Sequence, residues 1–128
     1  MEPASEDLEF HDRDGYLEVR ALGPYGVEAM KRQLDRAASE CLERKTDRLL
    51  FDITAVENYR PTTAKRYQIG SHIAGLIRTL ERFACLATPE QIDPENFTSR
   101  VATNRGRPAP VFNQRMKAIA WVLGKEAP

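Results

Sequence analysis

Leu8 and Phe10 alternate with Glu9 and His11, and after Asp14-Gly15 the alternation resumes with Leu17, Val19 and Ala21 against Glu18 and Arg20. A period of two is that of a strand with one face buried. Asp-Gly tolerates the positive φ that a tight turn needs, so the two runs predict a hairpin that Gly23-Pro24 ends. Over 26–44 the period changes. Val27, Met30, Leu34, Ala37, Ala38, Cys41 and Leu42 recur at three- and four-residue steps, the stripe of an amphipathic helix. Glu28–Arg32 and Arg36–Glu40 sit at i,i+4 on its outer face, which reads as solvated.

Residues 48–54, Arg-Leu-Leu-Phe-Asp-Ile-Thr, form a nearly unbroken apolar run, as expected of a strand buried on both faces. A loop over 55–61 leads to a second helix at about 62–80, then a strand over 83–87, a short helix around 94–104 and a strand over 110–112. Gly106 suits a left-handed helix end, and Pro108 and Pro110 stop any continuation. Asn113 is the expected N-cap of the last helix, with Met116, Ile119, Ala120 and Leu123 as its core stripe beside Trp121. The order is ββαβαβαβα. It predicts an α/β fold whose mixed sheet has an antiparallel N-terminal hairpin followed by parallel strands, flanked by about four helices.

The 128 residues suit one domain, read as 7–125 behind a flexible tail at 1–6. Nineteen basic and nineteen acidic residues cancel, which argues against generic nucleic-acid binding. The cancellation is uneven. Residues 1–47 hold 12 acids and 7 bases, residues 48–128 the reverse, so an anionic partner is expected at the second part. Cys41 and Cys85 lack a second thiol or a histidine at ligand spacing, so they read as free thiols in a reducing compartment and no metal is expected. The acidic N-terminus is no signal peptide and no apolar run reaches membrane-spanning length. A cytoplasmic protein with at most peripheral membrane contact is expected.

Three short stretches carry a resemblance: Leu49-Leu-Phe-Asp52 with the loop and helix after it, Ala102-Thr-Asn-Arg-Gly106, and Val111-Phe112 followed by Ala118-Ile-Ala-Trp121. Together with the element order from Leu8 to Gly124, they resemble the STAS superfamily, in particular its SpoIIAA-like (STAS/SEC14) group of small bacterial proteins. That resemblance implies a non-enzymatic regulatory module without a cofactor. In the anti-sigma factor antagonist branch, a hydroxyl residue opening the helix after the central strand is a phosphorylation switch, within an Asp-Ser-Ser-Gly pattern. Here the stretch is Glu57-Asn-Tyr-Arg-Pro-Thr-Thr-Ala64, which lacks that pattern but puts Thr62 and Thr63 at about the right place. The SEC14-like branch is associated with apolar ligands and membrane surfaces.

The candidate ligand- or partner-binding residues are therefore Asp52, Tyr59, Arg60, Thr62, Thr63 and Arg66, with Thr62 and Thr63 as possible phosphoacceptors. A helix N-terminus stabilises an anion, and Arg60, Lys65 and Arg66 would add charge-assisted hydrogen bonds. One threonine acting only as a cap explains the same residues more plainly. Asp52, the single charge in its strand, is expected to bond backbone N–H groups of the 55–61 loop, with no second carboxylate nearby. The Thr62 loop and the loops after Ala87 and Phe112 should meet in the crevice at the strand carboxyl ends. His11 and His72 read as surface residues. In helix 62–80, Ile69, Ile73, Leu76, Ile77 and Leu80 form the core stripe, while Gly70 and Gly75 imply either tight packing on the sheet or an exposed apolar surface. Arg100, Arg105, Arg107 and Arg115 form a local basic cluster that need not converge. The expected function is binding of a protein partner, a second copy of the chain or a small anionic ligand, with an apolar ligand such as a lipid as the alternative.

Overall fold

The computed structural model describes residues 7–125; the tail expected at 1–6 lies outside them. Its elements run β1 (Leu8–Arg13), β2 (Tyr16–Ala21), α1 (Val27–Glu43), β3 (Arg48–Asp52), α2 (Thr63–Leu76) with a 3-10 turn at Ile77–Thr79, β4 (Arg82–Leu86), α3 (Phe97–Arg105), β5 (Val111–Phe112) and α4 (Arg115–Val122). The five strands lie side by side in chain order, β1 antiparallel to β2 and the others parallel. This is the predicted α/β order and mixed sheet. At the hairpin Arg13 faces Tyr16, and only Gly15 takes a positive φ, 92°.

Alternation along the strands divides the core in two. Leu17, Val19, Leu49, Phe51 and Phe83 point to one face and pack under α1, α2 and α3. Tyr16, Leu50, Ala84 and Leu86 point to the other, where Ala118, Trp121 and Val122 of α4 cover them. Because β3 is central and covered on both sides, its apolar run has no polar alternation.

Several expectations shift. Leu42 and Met116, placed on core stripes, are 64% and 75% exposed. The buried stripe of α4 is Ala118, Trp121 and Val122, one position out of phase with the one predicted. Its phase is set at the far end. Arg48 donates to Val122 O at 2.6 Å, and Arg82 donates to Trp121 O at 3.1 Å while its guanidinium lies 4.5 Å over the Trp121 ring. Both cations thus satisfy carbonyls at the negative end of the helix. The N-cap is Gln114 rather than Asn113, without a side-chain cap bond. Gly106 sits at φ −157° and ψ −121°, outside the left-handed region. An added Cβ would stand 3.4 Å from Ala74 O and from Ile77 Cδ1, at the edge of van der Waals contact.

The two glycines of α2 part company. A Cβ on Gly70 would fall 2.7 Å from Thr98 O and 2.8 Å from Val101 Cβ, whereas one on Gly75 would meet nothing within 4 Å. Tight packing therefore explains Gly70 alone, and the close neighbour is α3 rather than the sheet. Drawing α3 against α2 in this way closes the side of the space beneath them.

Candidate functional site: an apolar cavity at the strand ends

Beneath α2 and α3 lies an apolar cavity of about 40 Å³. Its inner wall is Phe51, Phe83 and Val111 from the sheet, Leu34 from α1, and Ile69 and Ile73 from α2. Helix periodicity turns Ile69 and Ile73 inward, and strand alternation turns Phe51, Phe83 and Cys85 towards them. Cys85 is only half-buried although its strand is internal, because it lines this space. Burial pushes its thiol up to about 12, so it is protonated and inert at neutral pH.

The mouth lies at the carboxyl ends of β3 and β4 and is built by two pinned loops. The first, after β3, is tied to the β2–α1 connection. Tyr25 N donates to Glu57 O at 2.8 Å, Glu57 N donates to Gly23 O at 2.9 Å, and Asn58 turns the chain with φ 57°. This delivers Tyr59 to the mouth, edge-on to Tyr25 at 5.1 Å. The second loop, after β4, is locked by Gln91. Its amide nitrogen donates to Ile53 O at 2.8 Å, and its amide oxygen accepts from Thr88 N at 2.9 Å. Ser99 then donates to Ala109 O at 2.6 Å, holding α3 to the chain entering β5.

Arg66, in the first two turns of α2, closes the mouth. Its guanidinium lies 5.8 Å over the Tyr59 ring and is 14% exposed. Its closest carboxylate oxygen, Asp93 Oδ1, stands at 3.7 Å, beyond hydrogen-bonding distance, and that oxygen accepts Phe97 N at 2.9 Å. Tyr59 is largely buried here, and burial raises its phenol well above the ordinary value.

The candidate residues are thus divided. Tyr59 and Arg66 line the cavity. Thr62 is exposed and caps α2, its hydroxyl accepting from Lys65 N at 3.2 Å, while Thr63 and Arg60 are exposed outside the mouth. Asp52 belongs to the opposite face, because it follows Phe51 by one residue on a strand. There its Oδ1 accepts from Thr54 N at 2.8 Å and Thr54 Oγ1 at 2.7 Å, so it holds the residue before the 55–61 loop rather than that loop's own N–H groups.

A second carboxylate does lie near Asp52. Glu18, read as an outward residue of β2, is 3% exposed. Arg115 of α4 bonds Glu18 and reaches within 4.0 Å of Asp52 Oδ2, while Arg13 donates to Glu18 at 3.1 Å. Burial alone would raise the Glu18 carboxyl, but the two arginines overcome it and hold it below its ordinary value. The loop after Phe112 therefore leads to this ionic cluster, not to the crevice as expected. No sequence period marks Glu18, because the polar side of a strand looks the same whether water or an arginine covers it.

The arginine cluster does not converge. Arg105 bonds the Tyr67 hydroxyl, Arg107 donates to Leu80 O at 2.8 Å, and Arg100 stands 3.8 Å from Glu95. His72 has a partner that the spacing did not show, Asp35 of α1 at 2.7 Å. Among the described residues no group of three or more His, Cys, Asp or Glu is placed to hold a metal ion, and no helix is long and apolar enough to cross a membrane. No protein-family model, curated protein or solved structure matches the chain.

Proposed function

We propose that the chain is a STAS-like, non-enzymatic binding module of a bacterial regulatory system, and that it takes a small apolar ligand into the cavity under α2 and α3. One observation carries the reading: an apolar cavity opens between two pinned loops at the carboxyl ends of β3 and β4, where parallel sheets place ligands. Sequential strand order after an N-terminal hairpin, with three helices on one face, supports the superfamily assignment. Thr62 caps α2, its hydroxyl accepting from Lys65 N, which supports a structural role for it.

The test is a titration of the protein with 3-methylbutan-1-ol, followed through the methyl signals of Ile69, Ile73 and Val111. Saturable shifts at these three positions are expected, and Ile69→Trp, which fills the cavity, should abolish them while the remaining spectrum stays folded. Shifts scattered over the surface, or none up to the solubility of the alcohol, would refute the reading.

A further inference from the structure

Among the described residues Arg66 is the one cationic side chain lining the cavity, and no acceptor stands within hydrogen-bonding distance of its guanidinium. It is 14% exposed, and Asp93 approaches only to 3.7 Å while already committed to Phe97 N. No side-chain hydrogen bond from Arg66 occurs among the described residues. A guanidinium presents five N–H donors in a planar fork, and those of Arg66, still reached by solvent, are free to bond an acceptor that enters the mouth. The first turn of α2 adds partial positive charge and contains no acidic residue. Behind this polar mouth the walls are hydrocarbon and aromatic ring apart from the Cys85 thiol, with Phe51, Phe83, Ile69, Ile73 and Val111 foremost.

Resting on the cavity reading above, we propose that the ligand is a small apolar carboxylate, with its carboxylate on Arg66 and its hydrocarbon end among these five side chains. Arg66 would then bridge the ligand carboxylate and Asp93. The same chain already shows that arrangement on its other face, where Arg115 lies between Glu18 and Asp52. The interior volume sets the size of the tail. At about 40 Å³ the interior is small, which favours a short branched tail over a long acyl chain. An ammonium group is a poorer match. Among the described residues Asp93 is the one carboxylate lining the cavity, and its Oδ1 already accepts a backbone hydrogen bond.

The experiment compares three molecules of one shape, 3-methylbutanoate, 3-methylbutan-1-ol and 3-methylbutan-1-amine, by the same methyl-signal titration on the wild type and on Arg66→Gln and Arg66→Lys. The carboxylate should bind about tenfold more tightly than the alcohol, the worth of a charge-assisted pair over a neutral one. Arg66→Gln should bring the two to equal affinity, and Arg66→Lys should keep part of the preference. A merely structural role for Arg66 would weaken both ligands together and leave their ratio unchanged, which overturns the proposal. Equal binding of alcohol and carboxylate by the wild type, or tighter binding of the amine, overturns the carboxylate while leaving the cavity reading in place. Binding of none of the three overturns both. Octanoate should bind no better than 3-methylbutanoate; a marked gain with chain length contradicts the assigned size.

Discussion

Replacing Gly70 by alanine tests the packing that shapes the cavity, because general helix propensity and this structure predict opposite signs. Alanine in place of glycine inside a helix normally stabilises by about 0.5–1 kcal/mol. At Gly70 the new methyl would stand 2.7 Å from Thr98 O and 2.8 Å from Val101 Cβ, distances real Cβ atoms do not reach. The first obstacle is backbone, so no side-chain rotation relieves it and α3 must move away from α2. Overpacking of this kind costs about 1–3 kcal/mol. After the propensity gain, a net loss of about 1–2 kcal/mol is expected. For a domain of this size each kcal/mol is worth roughly 3–5 °C, so the melting temperature should fall by several degrees. Gly75→Ala is the internal control. Its methyl meets nothing within 4 Å, so that variant should gain about 0.5–1 kcal/mol. Urea unfolding of both variants and the wild type reads the difference directly. A Gly70→Ala protein as stable as the wild type, or two variants that move in the same direction, would refute the close α2–α3 contact and the cavity wall it creates.

Three further outcomes are expected. The Glu18 carboxyl is held below its ordinary 4.5 in the folded state, so its contribution is present in full above that value and is lost as pH falls through the lower folded value. Glu18→Gln should cost about 1–2 kcal/mol at pH 7, limited by the half-exposed arginines, and the gap between variant and wild type should close on acidification; a gap constant from pH 7 to 3 would contradict the ionic cluster. Burial pushes both Cys41 and Cys85 up to about 12, which leaves about one thiolate in ten thousand at pH 8. Ellman's reagent should therefore titrate both only when the protein is unfolded, and rapid native labelling of Cys85 would mean that the cavity opens freely. Thr62→Ala should cost about 1 kcal/mol in urea unfolding and leave 3-methylbutanoate binding unchanged, because the hydroxyl caps α2 outside the mouth.

The sequence alone determined the elements and their order. Alternation marked β1 and β2, Asp14-Gly15 marked the turn, and the nearly unbroken apolar run at 48–54 marked a strand with both faces covered. Those are local properties, set by backbone periods of 2 and 3.6. Of the residues the sequence named, Tyr59 and Arg66 line the cavity. It placed Asp52 with them, and there the single-residue step from Phe51 to Asp52 decided otherwise, sending adjacent side chains to opposite faces of the sheet.

What only the tertiary structure decided concerns pairs far apart in the chain. Glu18 is buried because Arg115, 97 residues away, covers it. Gln91 and His72 find their partners 38 and 37 residues back. The phase of α4 follows from Arg48 and Arg82 holding its last carbonyls, and eight residues carry too short a stripe to fix that phase themselves. Gly70 and Gly75 read alike as letters, yet only one meets a neighbouring backbone. The cavity has the same origin. No residue encodes a void; it is the space left when α2 and α3 are drawn together by Gly70 above a sheet whose side chains do not quite fill the gap.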